Sequence, residues 1–89
     1  MKIITRENRF KREMKSLLRK HHDLAGLQTV LASLQEGRLL PGKYKDHALS
    51  GNWSGFRECH IEPNWLLIYK VTENELILTA TGTHDDLFK

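Results

Sequence analysis

A single cysteine, Cys59, stands among the 89 residues, so no intrachain disulfide can form and the stapled framework of small secreted domains is excluded. Nothing around Cys59 lowers a thiol pKa, which argues against a cysteine nucleophile. Proline is almost as scarce, with Pro41 and Pro63 the only two, which leaves long stretches free for helices and strands. No apolar run exceeds Trp65-Leu66-Leu67-Ile68-Tyr69, far short of the roughly 20 residues a membrane-spanning helix needs. Met1 to Arg6 lacks the apolar stretch of a secretory signal, so a cytoplasmic protein with no membrane partner is expected. Gly-x-Ser-x-Gly and phosphate-loop patterns are absent, as are internal repeats and low-complexity segments. His21-His22-Asp23 matches no common zinc spacing, and the adjacent Cys59 and His60 would face opposite ways on a strand. No metal and no cofactor are expected.

What is present describes one folded domain over residues 1–89. Hydrophobic residues make up 39% and charged residues 28%, an ordinary globular balance. The net charge of +3 is unevenly spread. Residues 1–20 carry eight cations against Glu7 and Glu13, whereas the remainder is net acidic. Such a basic stripe suits a polyanion, or forms a solvated helix face.

Periodicity assigns the elements. Lys2 to Thr5 reads as a short strand. Phe10, Met14, Leu17 and Leu18 then share one helix face, with Thr5 or Asn8 as its cap. His21-His22-Asp23 breaks that pattern, and Asp23 can cap a second helix whose face is Leu24, Leu27, Val30, Leu31 and Leu34, ending at Gly37. Residues 38–53 show no periodicity and form a long loop of the functional kind. Three strands follow, Gly55 to Ile61, Trp65 to Val71 and Glu75 to Thr81, with a turn at Glu62-Pro63-Asn64. The run Trp65 to Val71 is typical of a central strand covered on both sides. Trp53 and Trp65 read as core residues. The expected fold is α+β, in the order β-α-α-β-β-β, with a helical hairpin on one face of a small curved antiparallel sheet. The other face is expected to be free for a substrate.

The chemistry lies in three histidines placed where strands meet turns: His47, His60 and His84. Imidazole exchanges protons near neutral pH, and two held at one bond can divide acid and base work. Lys43, Lys45 and Arg57 flank them. Imidazoles with cationic donors suit a phosphodiester. Phe88, four residues beyond His84, is either a core plug or a platform for stacking a base.

Three blocks then carry a family resemblance. Tyr44-Lys45-Asp46-His47-x-Leu49-x-Gly51-x-Trp53-x-Gly55-Phe56-Arg57, His60-Ile61-Glu62-Pro63-x-Trp65-x-Leu67-Ile68-Tyr69-Lys70 and Thr81-Gly82-Thr83-His84-x-x-Leu87-Phe88 resemble the YafQ-type toxins of the RelE/ParE superfamily. That resemblance implies an mRNA interferase of a type II toxin–antitoxin module: a ribosome-dependent endoribonuclease that cuts mRNA in the decoding site. It also implies neutralisation by a cognate antitoxin, with ribosomal RNA and mRNA as further partners. By the same resemblance His84 is the general acid on the leaving 5′-oxygen, and His60 or His47 helps activate the ribose 2′-hydroxyl. The products would be a 2′,3′-cyclic phosphate and a 5′-hydroxyl. Lys43, Lys45, Arg57, Asn64 and Phe88 are supporting or RNA-binding residues. Two positions depart from the family pattern. Asn64 replaces an aspartate, and an amide cannot take up a proton at neutral pH. Ala80 replaces an arginine that can clamp phosphate. These departures sustain an alternative, a catalytically weakened or non-enzymatic relative that acts by binding its target or antitoxin.

Overall fold

A computed structural model describes residues 1–20 and 23–88; the junction histidines His21 and His22 lie outside the described residues. Strand β1 (Ile3–Arg6) leads into helices α1 (Asn8–Leu18) and α2 (Ala25–Gln35). Strands β2 (His47–Ala48), β3 (Arg57–Glu62), β4 (Trp65–Val71) and β5 (Glu75–Gly82) follow, and a short helix α3 (His84–Phe88) ends the described chain. The sheet order is β1-β5-β4-β3-β2.

The α+β hairpin-on-sheet architecture agrees with the sequence, with two small elements added, β2 and α3. The sheet is mixed rather than wholly antiparallel, because β1 runs parallel to β5. No hairpin joins those two strands, so nothing local imposes the antiparallel sense.

Local chemistry sets the helix ends. Neither Thr5 nor Asn8 caps α1; Glu7 is its N-cap residue and makes no side-chain capping bond. Asp23 stands one residue before the N-cap of α2, which is Leu24 without a side-chain capping bond; its Oδ1 accepts the Ala25 N–H at 3.0 Å. At the other end the Gly37 N–H reaches the Leu34 carbonyl (3.1 Å) and the Arg38 N–H reaches that of Ser33 (2.9 Å). This paired closure needs a left-handed residue, and Gly37 supplies it at φ 74°.

Two apolar clusters flank the sheet. On the helix face, Phe10, Leu17, Leu27, Val30 and Leu34 pack on Cys59, Ile61, Trp65, Leu67, Tyr69, Leu76 and Leu78. Leu18, assigned to that face by its spacing, stays 45% exposed at the helix end. On the opposite face, Leu66, Ile68 and Ala80 are covered by Leu87, with Leu49, Trp53, Phe56 and Phe88 around them. The sequence predicts that second face to be free, but it carries a cover built from the 49–56 segment and α3. Strand β4 is thus buried from both sides, as its composition predicts. Truncating such a residue, Leu67 for example, to alanine costs about 2–5 kcal/mol.

Two irregularities decide which side chain faces where. Between β3 and β4 the register shifts between His60 and Glu62, and between β4 and β5 it shifts at Ile68/Tyr69. Leu76 and Leu78 face the helices, yet Ala80 belongs to the second cluster. The extra residue, Thr79, moves every later side chain of β5 to the other face.

Candidate active site

Alternation along β3 sends Cys59 and Ile61 under the helices and leaves Glu58 and His60 on the second face. Glu58 is only 5% exposed. A carboxylate so covered needs partners. It has two imidazoles: His47 Nε2 at 3.6 Å and His60 Nε2 at 3.5 Å, both from Oε1. His60 comes from the same strand two residues on, and His47 stands opposite Glu58 across the β2–β3 pair. Residue type alone does not mark Glu58 in the sequence. Its signal was its place between two candidates, one residue short of Cys59-His60.

His47 is oriented from behind. Its Nδ1 lies 2.7 Å from the Lys45 carbonyl. A carbonyl only accepts, so Nδ1 carries the proton and Nε2 is the nitrogen turned to Glu58. Lys45 reaches this geometry in a left-handed conformation, φ 50° and ψ 42°.

His84 is the first residue of α3, a helix absent from the order expected from the sequence. The missed signal was Thr83-His84-Asp85-Asp86. The Thr83 N–H donates to Asp86 Oδ2 and the Asp86 N–H donates to Thr83 Oγ1, each at 3.1 Å, a reciprocal capping box. The Thr83 backbone and hydroxyl bonds hold the Asp86 carboxyl below its ordinary range, and Lys20 adds to this. Gly82 permits the closure, because a Cβ there would stand 3.1 Å from Asp86 Oδ2 and 3.2 Å from Asp86 Cβ. The His84 ring lies 5.1 Å from that of Phe88, which lies 6.3 Å from Trp53. Trp53 in turn meets Phe56 edge-on at 5.5 Å. Phe88 is half-buried, so it both plugs the second cluster and backs His84.

Register relates the histidines to one another. His60 pairs with Leu66, and Leu66 pairs with Gly82. His60 and the start of α3 therefore share one end of the sheet, two strands or about 10 Å apart. His47 and His60 are drawn together at Glu58; His84 approaches the same face from the other flank. A cavity of about 460 Å³ opens beside His60 toward the start of α2, lined by Gly26, Lys43, Tyr44, Lys45, Ile61, Glu62 and Pro63. Neither His47 nor His84 lines it. The Lys43 ammonium stands 5.1 Å from the Tyr44 ring. Asn64 is exposed in the β3–β4 turn. Arg57 is held by Asp46, Nη2 to Oδ2 at 3.2 Å, and so is partly neutralised. Ala80 is fully buried, where an arginine would have to displace the aromatic cover.

Burial pushes the Cys59 thiol up to about 12, with Asp46 and Glu58 contributing, so it is no nucleophile at neutral pH. Among the described residues no group of three or more histidine, cysteine, aspartate or glutamate side chains is arranged to hold a metal ion. No described helix is long and apolar enough to cross a membrane.

Comparison with known proteins fits this arrangement. Residues 2–89 match the family described as bacterial toxin of type II toxin–antitoxin system, YafQ. The chain is 41% identical over 80 residues to the mRNA interferase toxin YafQ of Escherichia coli (strain K12), covering 89% of this chain and 87% of that one. It superposes on the copper-bound L66S mutant toxin from Helicobacter pylori with a TM-score of 0.95 and 38% identity, covering 99% of this chain and all of that one. Against YafQ in the E. coli DinJ–YafQ complex the TM-score is 0.89 with 37% identity, covering the whole of both chains. The chain belongs to the YafQ family of toxins from bacterial type II toxin–antitoxin systems.

Proposed function

We propose that this toxin is a ribosome-dependent endoribonuclease that cuts mRNA in the decoding site, using His47, His60 and His84 as its proton-moving groups. The observation that carries the reading is the convergence of His47 and His60 on one buried carboxylate oxygen of Glu58. A relative 41% identical bears the name mRNA interferase, which supports RNA as the substrate.

The chemistry follows from the groups. The ribose 2′-hydroxyl is an internal nucleophile already held near phosphorus, so its attack needs only deprotonation. His60 or His47 takes that proton through Nε2. Glu58, whose Oε1 faces the same Nε2 atoms, then balances the positive charge formed on the imidazole. His84, at the exposed start of α3, gives a proton to the leaving 5′-oxygen. The result is a 2′,3′-cyclic phosphate and a 5′-hydroxyl. Phe88, backing His84, offers a face on which a base stacks. Lys43 and Lys45, beside His60, meet phosphate oxygens. Arg57 keeps a share of its charge toward solvent, with Asp46 taking the rest, and Asn64 orients through hydrogen bonds. No metal is required by this route.

The cognate antitoxin is a partner, by analogy with the DinJ–YafQ complex. The basic first helix and the turn after it, whose Lys11, Arg12, Lys15, Arg19 and Lys20 are exposed, suit ribosomal RNA, and the cytoplasm is the site of action.

The test is to map mRNA 5′ ends after brief induction of the wild type and of His84→Ala. Discrete 5′-hydroxyl ends in the wild type, lost in the variant, are expected. Growth arrest without fragments would instead support the non-enzymatic alternative, which Asn64 favours. Cleavage on translating ribosomes with and without chelator tests the metal-free route; loss of cutting in chelator would remove it.

A further inference from the structure

We propose that Asp46 is the positioning residue for His47, a clasp that holds a two-residue strand to the central sheet so that the imidazole keeps its place at Glu58. The inference rests on the reading of His47 as a catalytic residue.

Strand β2 has two paired residues only, His47 opposite Glu58 and Ala48 opposite Arg57. So short a ladder, at a sheet edge and following a long loop, has little hold of its own. The residue before it supplies the hold. The Asp46 carboxylate accepts the Tyr69 hydroxyl proton in a short hydrogen bond. It also accepts two guanidinium bonds from Arg57, Nη2 to Oδ2 at 3.2 Å and Nε to Oδ1 at 3.4 Å. Arg57 and Tyr69 are directly paired across β3 and β4. Tyr69 is 1% exposed and packs among the helix-face residues. The anchor is thus fixed to the most enclosed strand.

The direction of each side chain matters. Tyr69 belongs to the helix-face cluster, whereas His47 meets Glu58 on the other face. Asp46 and His47 therefore point to opposite faces, as neighbours on a strand do. Pulling Asp46 toward Tyr69 turns His47 toward Glu58. The left-handed Lys45 completes the turn and sets its carbonyl 2.7 Å from His47 Nδ1. Both donors persist at working pH. Burial, then Asp46, raise the Tyr69 hydroxyl above the ordinary phenol range, and the Asp46 hydrogen bond raises Arg57. None of these three groups has a part in moving protons on the RNA.

The experiment combines single-turnover cleavage on programmed ribosomes with ¹⁵N spectra of the histidine rings. Asp46→Asn keeps the side-chain shape but turns an amide NH₂ toward a hydroxyl and a guanidinium that both donate. Tyr69→Phe keeps the core volume and removes one donor, and serves if the first variant folds poorly. The expected result is a fall in kcat of about 10- to 100-fold with KM little changed, the penalty of a misplaced group. The His47 ring signals should broaden or shift, while those of His84 stay. In a His47→Ala background Asp46→Asn should cost nothing further. An unaltered His47 spectrum in both variants would overturn the inference. So would an altered spectrum with an unaltered rate, or an equal loss in the His47→Ala background. Failure of the wild type to cut mRNA would sink the ribonuclease reading separately, and the ring spectra would still decide whether Asp46 holds His47.

Discussion

Glu58→Gln is the sharpest perturbation of the site. The amide fills the same space, and the side chain is nearly covered, so the fold should be retained. What is lost is the charge facing two imidazoles. At the 3.5 Å separation of His60 Nε2 and Glu58 Oε1, opposite unit charges attract by about 5 kcal/mol at an effective dielectric near 20. That figure is an upper bound, because the His60 side chain is 24% exposed and that of His47 51%. Solvent screening of partly exposed partners reduces it to about 1–3 kcal/mol. The carboxylate acts when an imidazole gains charge, so the loss falls on the transition state. This corresponds to a drop of roughly 5- to 150-fold in the cleavage step. The assay is single-turnover cutting of a defined mRNA on programmed ribosomes, with thermal unfolding measured in parallel. The same substitution should have no added effect when His47 and His60 are both alanine. A Glu58→Gln protein that folds normally and cuts within twofold of wild type would refute the coupling of this carboxylate to the imidazoles.

Further outcomes follow from the same geometry. The Asp86 carboxyl is held below its ordinary range by its bonds to Thr83, so its contribution to α3 is complete above the usual carboxylate pKa and is lost as pH falls through the lowered folded value; Thr83 and Asp86 amide shifts should hold steady from neutral pH into that range and move only below it, and Asp86→Asn should remove the acid transition. Cys59, buried and pushed up to about 12, should resist alkylation near pH 8 in the folded protein and react at once in denaturant, as mass spectrometry would show. Asn64→Asp restores a carboxylate at an exposed turn beside the site; a gain of tenfold or more in cutting would mark this toxin as weakened by that one change, and an unchanged rate would show that Asn64 suffices.

Much of the molecule was legible in the chain. Leu27, Val30 and Leu34 declare their helix by spacing, Gly37 ends it, and Trp65 to Tyr69 declare a strand covered twice, because each of these signals acts over a few residues. The three histidines stood out by residue type. Glu58 did not, since a lone glutamate in a strand looks like a solvent-facing residue until its burial is known. Helix α3 is not evident from spacing because five residues carry no periodicity, although its capping box is written in Thr83 and Asp86. Trp53 and Phe88 read as core candidates, but the cluster as a whole is not evident in the chain, because Leu49, Trp53 and Phe56 are spaced irregularly.

The sequence by itself determined the class of fold, the order of its six larger strands and helices and the kinds of group available for chemistry, all of which depend on local spacing and side-chain type. Tertiary structure alone decided that His47 and His60 meet at one carboxylate and that His84 comes to their face. Those outcomes depend on sheet register. One extra residue at Thr79 turns the end of β5 over, and one carboxylate at Asp46 ties a distant loop to Tyr69. Register follows from packing both faces of β4 at once, and no short stretch of the chain contains that condition.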